Sequence, residues 1–193
     1  IAWSVENMYF NTFLYNSVYN GASQNAVNGS LDVMSAISAM VAFSAATAVI
    51  TTFFAGTLSD KTGKRKWFIS VGYILWGIVT ASFGLISRDN TAALFGLTDE
   101  VKILTVTVCL VIVMDCVMTF TGSTGNDAAF NAWVTDVTNT KNRATVESVL
   151  ALMPLLATAV VMGLAGAVTG IGYSVFFLAL GAIVTVCGAL GCF

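Results

Sequence analysis

Histidine is absent from the 193 residues, proline occurs once, and charge is scarce, with 10 acidic and 8 basic side chains making up 9% of the chain. Each shortage excludes something. Without histidine there is no ready proton shuttle near neutral pH. No metal-ligand cluster or nucleophile-base pair takes its place, so an enzyme is not expected, and no cofactor is called for. A net charge of −2 supplies no basic surface and excludes nucleic acid as a partner. An average soluble domain is about a quarter charged, and this chain lacks the residues to build a polar shell. Cys109, Cys116, Cys187 and Cys192 fall inside apolar stretches with no Cys-x-x-Cys spacing; they read as small buried hydrophobes, against a disulfide framework or a metal site. There is no initiator Met, no basic segment before a cleavage site, and the end, "VTVCGALGCF", is apolar. The expectation is a fragment, truncated at both ends, with no signal peptide.

What is abundant is apolar: 57% of residues are hydrophobic and the mean hydropathy is +0.86. Such a chain takes lipid as its solvent. A bilayer core about 30 Å thick needs about 20 mostly apolar residues per helix. Six stretches meet that need, at 1–19, 33–57, 67–87, 102–134, 145–168 and 172–193. The predicted fold is an all-α membrane bundle of six transmembrane helices in one domain, 1–193. The fourth stretch exceeds the bilayer and must tilt or project from it.

The loops assign the orientation. Lys61, Lys64, Arg65 and Lys66 follow the second stretch, and Lys141 and Arg143 follow the fourth; these are six of the eight basic residues. Cytoplasmic loops carry the excess of Lys and Arg. The second and fourth loops are therefore expected inside, with the N-terminus in the cytoplasm of a multi-pass protein of the cell (inner) membrane.

Charged residues within a span are costly, about 2.5–3.5 kcal/mol at a helix centre, and so mark candidate sites. In the first stretch Asn7, Asn11 and Tyr15 recur every four residues with Glu6 beside them. In the fourth, Ser123, Asp127 and Asn131 repeat that spacing, edged by Asn126 and Thr124. Lipid cannot satisfy these groups, so the stripes are expected to face each other across a hydrated space or to form a hydrogen-bond network between helices. Asp115 lies twelve residues before Asp127, about 18 Å along an α-helix and about 120° around it. The two are therefore expected not to share a site, leaving Asp115 as a cavity-mouth carboxylate or a helix-packing group. Small residues in the second stretch, and Ala159, Gly163 and Ala167 in the fifth, suggest close helix packing; Pro154 removes a helical hydrogen bond.

The loop after the second stretch reads "GTLSDKTGKRK". It resembles the loop signature of the major facilitator superfamily, Gly-x-x-x-Asp-Arg/Lys-x-Gly-Arg/Lys-Arg/Lys, with Gly56, Asp60, Lys61, Gly63, Lys64 and Arg65 on its defined positions. Gly56 would let the helix end pack closely, and Gly63 would permit the tight turn. The resemblance implies a cytoplasmic gate in which Asp60 contacts the other half of the transporter and Arg65 pairs with an acid at the end of the fourth helix. Asp136 stands in that place, and Arg143 is grouped with it. The chain would then be the N-terminal half of a twelve-helix transporter, its C-terminal half forming the opposite wall.

Within that superfamily, "DAAFNAWVTDVTNTKNR" is similar to the corresponding segment of the glycoside-pentoside-hexuronide:cation symporters, the melibiose permease family. Asp127 falls on a sugar-binding Asp of that family and Glu6 falls near another. Thr52 and Ala48 occupy the places of its cation-binding acids, and its arginine in the fifth helix has no counterpart. The resemblance implies a secondary transporter that moves a small polar solute, a sugar or glycoside, by alternating access, coupled to H+ or Na+ or uncoupled. The expected solute and ion contacts are Glu6, Asn7, Asn11, Tyr15, Asp127 and Asn131. Two rivals stay open: an exporter of drugs or metabolites from the same superfamily, and a complete six-span protein that transports nothing.

Overall fold

The computed structural model describes residues 2–163 and 165–191, leaving out the side chains of Ala2, Trp3, Glu6, Asn7, Ala165, Ala167 and Thr169. The described chain is helical. Helix α1, Ala2–Phe13, continues as a π-helical stretch, Leu14–Tyr19; α2 is Gln24–Gly29, α3 Val33–Thr62, α4 Arg65–Phe83 and α5 Arg88–Phe95. Helix α6, Glu100–Gly122, runs through a second π-helical stretch, Ser123–Phe130, into α7, Asn131–Val137; then come α8, Arg143–Gly163, α9, Ala165–Ile171, and α10, Tyr173–Leu190.

Five of these segments are long and apolar enough to cross a membrane: α3, α4, the continuous α6–α7 rod of 38 residues, α8 and α10. The first expected stretch is built differently, with 12 residues of α-helix followed by six of π-helix. Two stretches read as loops, around 24–29 and 88–95, are short helices. Ser23 caps the first by accepting from Ala26 N, and Ser87 caps the second by accepting from Asn90 N. Such caps satisfy amides that a helix start leaves open.

Helix α3 outruns its expected end. Asp32 starts it, its carboxylate accepting from the amides of Met34 and Ser35, and Gly63 ends it at φ 64°, where its N–H bonds Ser59 O. Asp60 and Lys61 therefore sit on the helix rather than in a loop. Only glycine adopts that left-handed turn without strain, which accounts for Gly63. Gly56 has a different environment from the one expected: a Cβ there would meet nothing within 4 Å, so the described chain makes no close approach at that point. Gly163 is equally open, and Ala159 is exposed.

The close approaches lie elsewhere. A Cβ on Gly77 would fall 2.7 Å from Gly181 O, and one on Gly188 2.9 Å from Ile74 N, so α4 and α10 pack backbone to backbone. Gly72 meets Gly125 in the same way, which brings α4 against the second π stretch. In lipid, where burial drives little, such contacts and interhelical hydrogen bonds hold a bundle together. An aromatic cluster adds the third element. Phe10 of α1 stacks on Phe83 of α4 at 4.3 Å between centroids, and Phe13 meets Phe177 of α10 edge-on at 5.4 Å. Each such pair contributes about 0.5–1.5 kcal/mol beyond its buried area. Helix α8 buries only Ala157 and Val161 among its described residues, and Tyr9 donates to Val161 O at 2.9 Å.

The chain's alternation gathers the loops in two groups. At one end Arg65 meets Asp60 and Asp136. At the other, Ser23 bonds the Glu100 carboxylate and Arg88 donates to Asn20 O at 2.8 Å.

Candidate functional site

Between α1, α3, α4 and the α6 rod lies a cavity of about 240 Å³ whose lining includes Asn11, Ser44, Trp76, Asp115, Asn126 and Asp127. Its walls follow from local structure. Trp76 forms one side, and a Cβ on Gly122 would stand 3.2 Å from the indole, so glycine there lets the ring lie against the rod. On the opposite side, the serines and alanines of α3 keep the space open, with Ser44, Ala45 and Ala48 at the lining.

The second π stretch sets the polar face. Within it Tyr73 of α4 donates to Asn126 Oδ1 at 2.9 Å, and Asn126 Nδ2 donates to Asp127 Oδ1 at 2.9 Å. The carboxylate of Asp127 is thus held by an amide that is itself held by a phenol, and among the described residues only its Oδ1 takes a side-chain hydrogen bond. Tyr73 is half-buried, and a hydroxyl removed from water without a partner is costly, so its bond to Asn126 is favoured. Asn11 adds a further acceptor: its Oδ1 is buried without a hydrogen-bond partner among the described residues.

Asp115 and Asp127 line the same cavity, which corrects the expectation that they could not share a site. The α-helical phase used for that expectation breaks at Ser123. Turns closed by i→i+5 bonds take more residues each than α turns, so the drift accumulated between Asp115 and Ser123 is partly undone by Asp127. Asp115, Thr119, Ser123 and Asp127 thereby run at i, i+4, i+8 and i+12 along one cavity wall. That spacing stands in the sequence and is the signal by which Asp115 and Thr119 belong to the site. Ser44, Tyr73 and Trp76 carry no such mark.

The other expected contacts divide. Asn11 and Asp127 line the cavity. Tyr15 is 59% exposed and outside the lining. Asn131 is exposed, with Nδ2 donating to Asp127 O at 3.2 Å, and is also outside it. Thr124 turns to apolar grooves shared with Phe120 and Phe68. The side chains of Glu6 and Asn7 lie outside the described residues. No group of three His, Cys, Asp or Glu among the described residues could hold a metal ion.

The second constellation is at the end of α3. Arg65 Nη2 lies 3.1 Å from Asp60 Oδ1, and its Nε lies 2.6 Å from Asp136 Oδ2, so one guanidinium joins α3, α4 and α7. Its planar fork suits two carboxylates at once, which an ammonium could not hold in fixed geometry. Lys61 and Lys64 are exposed. Arg143 does not join this group: it donates to Thr135 O at 2.9 Å and to Thr138 Oγ1 at 3.3 Å, tying the end of α7 to the start of α8. Arg65 Nη1 and Ser59 Oγ are buried here with no hydrogen-bond partner among the described residues.

The family model for the Major Facilitator Superfamily matches residues 7–193, nearly the whole chain and both constellations. No curated protein and no solved structure matches the chain. The chain belongs to the major facilitator superfamily, whose members are transporters of small solutes across the bilayer.

Proposed function

We propose that this transporter moves a small polar solute, a sugar or glycoside, by alternating access, and that the cavity beside Asp127 is its solute site. The observation that carries the reading is the Tyr73–Asn126–Asp127 chain of hydrogen bonds at the cavity wall. An ionised carboxylate accepts through two oxygens and suits a pair of vicinal hydroxyls. Asn11 and Trp76 complement it with an amide and an aromatic face. Glu6 belongs to the same proposal from its place in the sequence. The similarity of the Asp127 segment to melibiose permease-like symporters supports the solute class.

The Asp60–Arg65–Asp136 cluster is proposed as the gate. It ties α3, α4 and α7 together at one end of the bundle, and the basic residues around it support a reading in which that end faces the cytoplasm of a cell-membrane protein with its N-terminus inside. A second bundle would complete the opposite cavity wall, as transporters built from repeats place their solute between halves.

Uptake of a panel of labelled monosaccharides and methyl glycosides by the full-length protein in proteoliposomes tests the solute assignment. Asp127→Asn is expected to abolish uptake of the accepted sugar while the protein inserts normally. Undiminished uptake by that variant, or no sugar taken up by the wild type, would overturn the reading.

A further inference from the structure

Two apolar grooves, of about 290 and 360 Å³, share no residue with the cavity beside Asp127 but share Phe68, Phe120 and Thr124 with each other. The first lies between α4 and the α6 rod, with Trp67, Val71 and Leu75 along it. The second lies between α3 and the rod, with Ile50, Phe54 and Leu58 along it. Their threonines offer little to a polar molecule. Thr47 donates to Phe43 O at 2.8 Å, Thr121 to Met118 O at 2.9 Å and Thr124 to Phe120 O at 2.7 Å, so these hydroxyls are satisfied by their own helices. What the grooves present outward is hydrocarbon and aromatic ring.

Both walls end in a lysine. Along α3, Thr47, Ile50, Phe54, Leu58 and Lys61 recur at steps of three and four residues, which places them on one face of the helix. Along α4 the order is reversed: Lys64, at its start, precedes Phe68, Val71 and Leu75 at the same steps. Lys61 and Lys64 are exposed, and no ion pair among the described residues engages either one. The nearby acids are committed elsewhere, since Asp60 and Asp136 both pair with Arg65. From Leu58 to Thr47 the α3 wall runs about 16 Å at the α-helical rise. One leaflet of a bilayer core about 30 Å thick is about 15 Å deep.

We propose that the paired grooves bind one phospholipid with an anionic headgroup, drawn from the leaflet at the gate end. Its two acyl chains lie on either side of the shared Phe68–Phe120 wall, one against α4 and one against α3. Its phosphate sits between Lys61 and Lys64. The depth of the grooves matches the chains, and the positive charge at their mouth matches the headgroup. A zwitterionic lipid satisfies the first condition but brings no net charge for the lysines. Trp67, exposed in the first turn of α4, stands at the level of the headgroups, where the indole's apolar body and N–H are both accommodated. The lysine stems lie along the apolar surface and carry the ammonium groups out to the phosphate.

Quenching of tryptophan fluorescence by brominated acyl chains tests this on the full-length protein in phosphatidylcholine vesicles. The signal read is the difference between the wild type and W67F, which isolates Trp67. Brominated phosphatidylglycerol is expected to quench it with an affinity above that of brominated phosphatidylcholine by about fivefold for each lysine engaged. K61A/K64A is expected to lose that preference while the signal is still quenched, and K61R/K64R to keep it. K141A, which removes a charge from another loop at the same end, is expected to keep it too. Equal quenching by the two lipids, an equal loss in K141A, or a loss in K61R/K64R would overturn the site. So would brominated phosphatidylethanolamine matching phosphatidylglycerol, because the headgroup's net charge would then decide nothing. A Trp67 signal that no brominated lipid quenches would mean that protein covers the groove, and would overturn the proposal as well. None of these readouts uses a solute, so failure of the sugar assignment leaves them untouched.

Discussion

Arg65 Nε, in the first turn of α4, lies 2.6 Å from Asp136 Oδ2 near the end of α7, and the same guanidinium reaches Asp60 Oδ1 at 3.1 Å. The pairing bridges 71 residues and fixes the ends of three helices against one another. The guanidinium is 21% exposed while its acids are 52% and 62% exposed, so solvent weakens each pair. A pair of this kind is worth about 0.2–1 kcal/mol.

On the proposed alternating-access mechanism with this cluster as its gate, Asp136→Asn is expected to shift the balance between the two access states by up to about fivefold, as about 1 kcal/mol implies. Spin labels at the two ends of the bundle would measure that shift by their distance distributions. The effect is expected to shrink at high salt, where exposed charges are screened. Lys61→Ala, at an exposed position beside the cluster, is expected to leave the distributions unchanged.

The Tyr73–Asn126–Asp127 chain carries a second prediction. Tyr73→Phe removes the donor that orients the Asn126 amide while keeping the ring that packs near Trp76 at 5.6 Å between centroids. A lost hydrogen bond of this kind costs about 0.5–1.5 kcal/mol, or roughly two- to tenfold. On the proposed solute role, the KM for uptake is expected to rise by that factor with little loss of Vmax. An unchanged KM would remove Tyr73 from the site's support.

Much of this was legible because the bilayer imposes strong rules. The long apolar runs of α3, α4, α6, α8 and α10, and the pairing of Arg65 with Asp136, followed from hydropathy and from a motif whose residue types carry the contact. The phase of the α6 rod did not, because π turns in Ser123–Phe130 leave no mark in an α-helical wheel. Packing was misplaced for a related reason. Gly163 and Ala159 have the small-residue spacing but face outward, while Gly77 and Ala81, which have the same spacing, carry close contacts with Gly181, and Gly188 carries another. A small residue permits an approach, and only the partner helix decides whether one occurs. The capped helices in the two loops at the other end were missed because each is a single short segment, below the length at which periodicity shows.

That contrast between glycines is itself testable. Gly77→Ala places a methyl group into the backbone of α10, 2.7 Å from Gly181 O, where neither chain can yield without separating the helices. Overpacking of this sort costs about 1–3 kcal/mol. Gly163→Ala adds a methyl group where nothing lies within 4 Å and restricts the unfolded chain, a gain of about 0.4–1 kcal/mol. Thermal unfolding in detergent is expected to show a lower midpoint for the first and an equal or higher one for the second.

Acid provides the last expectation, at the start of α3. The Asp32 carboxylate accepts from Ser35 and from the amide of Met34 at 3.1 Å. Those bonds hold its pKa below the ordinary value of 3.8, with Ser35 the main cause. A group whose folded pKa is depressed stabilises the fold above the unfolded value and loses that contribution as pH falls through the folded one. The cap's charge is therefore fully effective at neutral pH and fades only below about pH 4. Asp32→Asn keeps an acceptor for the helix amides but has no proton to gain in that window. Unfolding midpoints followed from neutral pH into acid are expected to fall less steeply below pH 4 for Asp32→Asn than for the wild type. Equal slopes would mean that the Asp32 charge contributes nothing to holding the first turn of α3.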